Sequence, residues 1–245
     1  MHGLELSSYY TGLRFGDPDA CRSGVEEFKR RCRFVAALGG QYVLLDGGEK
    51  DYHGTFSTLD DYIKFIAETA NHLGEYAHTL GLKLAWHQHW GSVFETQPQF
   101  EKLMAFTDPA LVGFCCDVGQ ITLGGFDVLG TVLRYVHRIT FMHYKDITFA
   151  GRPLGIFWPG GPTAPSDDGA YDVDSRGRWV ELGRGVVPFP EITRILLDAG
   201  YDGWIVDDFD YSGYAPVESA RACKEYINRG LGITGERDRR AAQPK

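Results

Sequence analysis

The chain has 245 residues, 43% of them hydrophobic and 24% charged, with a formal net charge of -8 at pH 7. That balance describes one soluble globular domain with room for a sizeable core, and the acidity argues against a nucleic-acid partner, which needs basic surface to neutralise phosphates. Five cysteines (Cys21, Cys32, Cys115, Cys116, Cys223) form no spaced framework, no apolar run reaches membrane-spanning length, and no charged-then-apolar export signal opens the chain, so a cytoplasmic protein without a membrane partner is expected.

LELSSYY (4–10) reads as the first strand, followed by a helix with Val25, Phe28, Cys32, Val35 and Leu38 on one face and a stop at Gly39 and Gly40. YVLLDG (42–47) is the second strand. Ser57 and Asp60 form a capping box for a helix carrying Leu59, Ile63, Ile66, Ala70, Leu73, Ala77 and Leu80, closed by Gly81. LKLAWHQH (82–89) is the third strand, and a short helix with Pro98 in its first turn buries Phe100, Leu103 and Met104. VGFCCDVG (112–119) is the fourth strand, with a helix over Val128, Leu129, Val132, Leu133 and Val136 behind it. RITFMHYKDI (138–147) is the fifth. A helix over Ile192, Ile195, Leu196 and Ala199 leads into the sixth, GWIVDDFD (203–210), and the last helix holds Val217, Ala220, Tyr226 and Ile227.

Strand and helix alternate throughout, which means a parallel α/β sheet with helices outside it. No Gly-rich phosphate loop follows the first strand, so a nucleotide-binding sheet loses support. A TIM-barrel-type (β/α) fold over residues 1–234 is expected instead, with a polar tail over 235–245. Only six strand–helix units are recognisable where a closed barrel has eight, and the first strand lies close to Met1, so two units at the front are expected to be missing.

The polar residues argue for the barrel. His87 and His89, Asp117, His143 and Lys145, and Asp208 and Asp210 all fall at or just past the C-terminal ends of strands, where barrel enzymes gather their chemistry. Period-two alternation puts His87 and His89 on one side, His143 and Lys145 on one side, and Asp208 and Asp210 on the side of Trp204 and Val206. Asp117 after the apolar GFCC needs a hydrogen bond, a charge partner or a cation; capping the following loop is the plain alternative. A lone histidine such as His143 is more often a satisfied core residue, and Cys115 and Cys116 read as core packing. Imidazole and carboxylate together suit Mn²⁺, Co²⁺, Fe²⁺ or Zn²⁺, and a donor set without cysteine suits a catalytic site more than a structural zinc. The aromatic, turn-rich loop over 155–179 reads as a covering segment.

Four stretches carry a resemblance. HQHWGSVFET, FCCDVGQITLGGFDVLG, YVHRITFMHYKDI and ELGRGVVPFPEITRILLDAGYDGWIVDDFDYS resemble, in order, motifs of the xylose-isomerase-like barrel superfamily, nearest to its inosose dehydratase branch. The resemblance implies a divalent metal held by an acid or histidine of the 87–95 segment (Glu95 being the acid) with Asp117, His143 and Asp208, and a polyhydroxylated ketone as substrate. It departs from the pattern at Gln120, where the family has histidine, and at Asp208, where it has glutamate.

The expected chemistry is loss of water from a keto-inositol or related keto-polyol through an enediolate, with His87 or His89 as base and Lys145 stabilising the oxyanion or protonating the leaving group. Glu95 is a ligand or a second base. A ketosugar isomerase or epimerase of the same superfamily is the alternative, and a non-catalytic or partner-completed homologue is a further one. A homo-oligomer is expected.

Overall fold

Each apolar run in the first part of the chain becomes a strand, and the amphipathic stretches between them become helices. In the computed structural model, which describes residues 4–149, 172–173, 177–210 and 214–234, the elements are β1 (Tyr9–Leu13), α1 (Pro18–Ala37), β2 (Tyr42–Gly47), α2 (Leu59–Thr79), β3 (Lys83–His87), α3 (Gln97–Phe106), β4 (Val112–Asp117), α4 (Val118–Leu123), α5 (Val128–Tyr135) and β5 (Ile139–Tyr144). Then come β6 (Asp146–Phe149), β7 (Asp172–Val173), β8 (Gly177–Val180), α6 (Phe189–Asp198), β9 (Trp204–Asp207) and α7 (Pro216–Glu225), which runs into a π turn over Tyr226–Gly230. The chain divides into two compact units, residues 1–144 with 195–206, and residues 145–194 with 207–245.

The first unit holds a six-stranded sheet in the order β1-β2-β3-β4-β5-β9, and neighbours from β1 to β5 pair in parallel. Parallel strands covered by helices are apolar on both sides, hence the near-continuous runs YVLL and VGFCC. One side of the sheet packs Tyr42, Leu44, Ala85, Cys115 and Phe141 into a cluster with Trp204 and Val206 against it. The other side carries Trp86 and Phe114; the Phe100 ring of α3 lies 4.7 Å from that of Phe114, and Phe15 and Phe94 flank Trp86. Burying each such ring contributes about 1.5–3 kcal/mol.

Stepping two residues from the inner cluster towards the C-terminal strand ends gives Asp46 from Leu44, His87 from Ala85, Asp117 from Cys115 and His143 from Phe141. The register carries this across the sheet, with His87 beside Cys115 and Asp117 beside His143. The turn after Asp46 requires glycine. Gly47 has φ +150°, and a Cβ there would sit 2.5 Å from the Leu13 carbonyl oxygen.

Some boundaries differ from the sequence reading. The first strand begins at Tyr9, where pairing with Val43 starts, whereas Leu4 is 90% exposed. The cap of α2 is Thr58, whose Oγ1 accepts from the Asp61 N–H at 3.1 Å and donates to Asp61 Oδ2 at 2.7 Å, one residue beyond Ser57 and Asp60. Leu38 and Leu133 sit exposed on the outer flanks of their helices. Residues 155–171 and 174–176 of the expected covering loop, and the polar tail over 235–245, lie outside the described residues.

The second unit contains a three-stranded antiparallel sheet in the order β6-β8-β7, which the turn-rich sequence concealed. Asp146 organises it. Its Oδ1 accepts from the amides of Ile147 and Val187, and its Oδ2 from those of Gly183 and Gly185, at 2.8–3.2 Å. Burial pushes the Asp146 carboxyl up to about 7, while the amides favour its charged form. Asp146→Ala leaves buried amide donors orphaned at about 1–3 kcal/mol each, so denaturant unfolding is expected to show a stability loss of at least about 3 kcal/mol.

Candidate metal centre

Asp117 is the most constrained acid of the first unit. It is fully buried at the end of β4, and both of its oxygens are engaged. Oδ1 accepts from the Gln120 N–H at 2.9 Å and caps α4. Oδ2 lies 3.4 Å from Nε2 of His87 on β3 and 3.7 Å from Nδ1 of His143 on β5. The capping reading of Asp117 is realised at Oδ1, while Oδ2 faces the two imidazoles.

The separations of 3.4 and 3.7 Å exceed the usual N–H···O range. They approach the spacing of donors around a single ion, since metal–donor bonds of about 2.0–2.2 Å put neighbouring ligands roughly 3–3.5 Å apart. The donor atoms of His87, Asp117 and His143 all fall within 4.8 Å of one another. Burial holds His87 below the ordinary histidine range, partly offset by the facing Asp117 carboxylate; the neutral imidazole this favours is the form that ligates metal. The donor set fits a divalent cation. The Cys115 sulfur also lies within 4.8 Å of the imidazole nitrogens of His87 and His143, so a thiol stands beneath the same centre while its residue packs in the inner cluster.

Glu95 is placed elsewhere. Its Oε1 takes the Lys50 ammonium at 2.6 Å and its Oε2 accepts from the Gly91 amide at 3.2 Å, so it braces the loop after β3. His89 sits in that loop, half-buried, with its ring 5.7 Å from the ring of His87. Its Nδ1 is 2.5 Å from the Trp90 carbonyl oxygen. A carbonyl can only accept, so Nδ1 carries the proton and Nε2 keeps its lone pair. Gln120 matches this arrangement: its Oε1 accepts from the Trp90 N–H at 3.0 Å, which turns its NH₂ towards His89 Nε2 at 3.3 Å. Gln120, where the resemblance leads to an expectation of histidine, thus sets an amide against His89 Nε2.

In the second unit, Lys145 is buried and its Nζ lies 2.9 Å from Asp208 Oδ2 and 2.5 Å from Asp210 Oδ2, with the Trp179 ring centroid 4.7 Å away. The mutual repulsion expected of Asp208 and Asp210 is relieved by this ammonium. Burial pushes the Asp207 carboxyl up to about 6, beside the Cys223 thiol of α7.

Comparison with known proteins places the chain in a family. The sequence model of the xylose isomerase-like TIM barrel matches residues 1–226. The chain belongs to that family. It is 30% identical over 244 residues to an inosose dehydratase of Bacillus licheniformis, covering 93% of this chain and 78% of that protein. It is 27% identical over 241 residues to the inosose dehydratase of Geobacillus kaustophilus, covering 94% and 76%. Its fold resembles that of the IOLI protein with a bound zinc atom, at a TM-score of 0.63 and 17% identity, over 92% of this chain and 76% of that one. No helix among the described residues is long and apolar enough to cross a membrane.

Asp117→Asn, His87→Ala and His143→Ala are each expected to weaken Zn²⁺ binding by at least about 100-fold, because each would remove a donor atom of the candidate centre where loss of an outer partner alone costs 10–100-fold. Glu95→Gln is expected to leave it within about threefold. Competition against a chromogenic chelator reads both.

Proposed function

We propose that this member of the xylose isomerase-like family is a dehydratase that uses a divalent metal to remove water from a keto-inositol or a closely related keto-polyol. The observation that carries the reading is Asp117, a buried carboxylate facing two imidazoles from adjacent strands, in a chain similar over most of its length to inosose dehydratases. The zinc bound in the similarly folded IOLI protein supports a metal at this kind of centre.

His87, Asp117 and His143 would hold the ion. Asp208 is proposed as a fourth ligand on its sequence position, two residues beyond Val206 on the strand period that leads from Cys115 to Asp117. A bound metal would polarise the ketone and stabilise the negative charge of the enediolate.

The rest of the work falls to side chains. His89 Nε2, whose lone pair accepts from the Gln120 NH₂ until substrate displaces it, takes the proton from the carbon beside the carbonyl. The electron pair left behind expels the hydroxyl on the next carbon, which departs as water with a proton from an acid. Lys145 is proposed as that acid. Its ammonium carries the proton to give, and Asp208 and Asp210 on either side of it hold its position. This division makes buried His87 a ligand and half-buried His89 the base.

Purified protein loaded with Mn²⁺ or Co²⁺ is expected to release water from a keto-inositol, seen as the ultraviolet absorbance of the conjugated or 1,2-dicarbonyl product. Solvent deuterium appearing in recovered ketose without loss of water would instead identify an isomerase or epimerase. His89→Ala is expected to lower kcat by about 10²–10⁴-fold with metal content unchanged, whereas Asp208→Asn is expected to lower metal content itself.

A further inference from the structure

We infer that Tyr10 and Asp46 form a substrate-selecting wall beside the metal centre, one that admits uncharged polyols and turns away substrates bearing a carboxylate or phosphate. The inference rests on the keto-polyol reading and narrows its substrate class. Asp46 lies near the end of β2, at the strand end that carries the ligands, whereas Tyr10 is the second residue of β1, in register with Leu44, and reaches the centre through its ring. The Tyr10 ring stands edge-on to His87, with centroids 5.2 Å apart and planes at 86°. The negative charge of Asp46 is felt at the His87 imidazole. The Tyr10 ring therefore borders His87, and Asp46 is joined to it through the Tyr10 hydroxyl.

Proton accounting decides what they can bind. The Tyr10 hydroxyl donates to Asp46 Oδ2 at 2.5 Å, so its single proton is committed. Asp46 Oδ1 accepts from the Gly47 amide. What the pair can offer an incoming molecule is the lone pairs left on the carboxylate. A wall of acceptors satisfies hydroxyl groups, which donate. A carboxylate or phosphate has no proton to give at neutral pH and meets a like charge. Among the described residues Asp46 has no ion-pair partner, since Lys50 is bound to Glu95 and Arg14 leans on Glu49. Its charge stands uncancelled.

Access agrees. Tyr10 is 43% exposed and Asp46 only partly buried. The Gly47 turn, which tolerates no Cβ, holds the carboxylate in place. A site whose polar groups must be matched discriminates strongly against a molecule that cannot match them. The plain alternative is that the hydrogen bond merely ties the strand β1 to its neighbour.

The test compares two cyclohexane polyols that differ in charge, myo-inositol and quinate, by calorimetry with the Mn²⁺-loaded chain. Wild type is expected to bind myo-inositol at least tenfold more tightly than quinate. Asp46→Asn is expected to weaken myo-inositol by about 10- to 100-fold and to bring quinate level with it or ahead. Tyr10→Phe, which keeps the ring and the charge, is expected to weaken myo-inositol a few-fold while quinate stays excluded. Equal affinities in wild type, or a ratio that Asp46→Asn moves by less than twofold while only the melting temperature changes, overturns the inference and leaves a strand tie. Should Asp46→Asn not fold, the wild-type ratio and Tyr10→Phe still decide. Because binding is read without turnover, a chain that prefers myo-inositol but releases no water from a keto-inositol overturns the dehydratase reading alone.

Discussion

A carboxylate with no solvent exposure must find its stabilisation inside the protein, and the placement of Asp117 organises the centre around it. One oxygen accepts the amide that starts α4 and the other faces two imidazoles. Removing a charge this deep from water is costly unless partners surround it. The three partners come from three places: the helix start, β3 and β5. Helix and site are tied to the same carboxyl group, so α4, a helix of only six residues, has its first turn set by the group that also faces His87 and His143.

Much of this was legible in the sequence because strand period and strand ends are. His87, Asp117 and His143 stand two residues beyond Ala85, Cys115 and Phe141, and apolar runs announce where each strand stops. What lay hidden depends on partners distant in the chain. The resemblance offered Glu95 as the acid of the 87–95 segment; its carboxylate meets Lys50 of the loop after β2, a pairing between residues 45 apart that no local pattern shows. Asp46 had no visible partner, since Tyr10 seemed to finish a strand that in fact starts at Tyr9. The D-G-G step after YVLL was the available signal: a carboxylate ahead of two glycines with positive φ marks a strand end with no room for side chains.

The second sheet escaped for a different reason. Its strands β6, β7 and β8 are two to four residues long and set among turn residues, too short for any period to show. Asp146, directly after Lys145, is the anchor of that unit through bonds to amides as far along as Val187. No local pattern reveals such a bond, because the backbone donor is the same at every residue type except proline.

The bracket around His89 has a consequence for how the protein can vary. Its proton is positioned by a main-chain carbonyl, which every amino acid at position 90 would supply equally. Sequence drift at Trp90 can therefore change the side chain next to His89 while leaving the imidazole in the same tautomer. Basicity is inherited from the path of the backbone, and the surface around it is free to diversify.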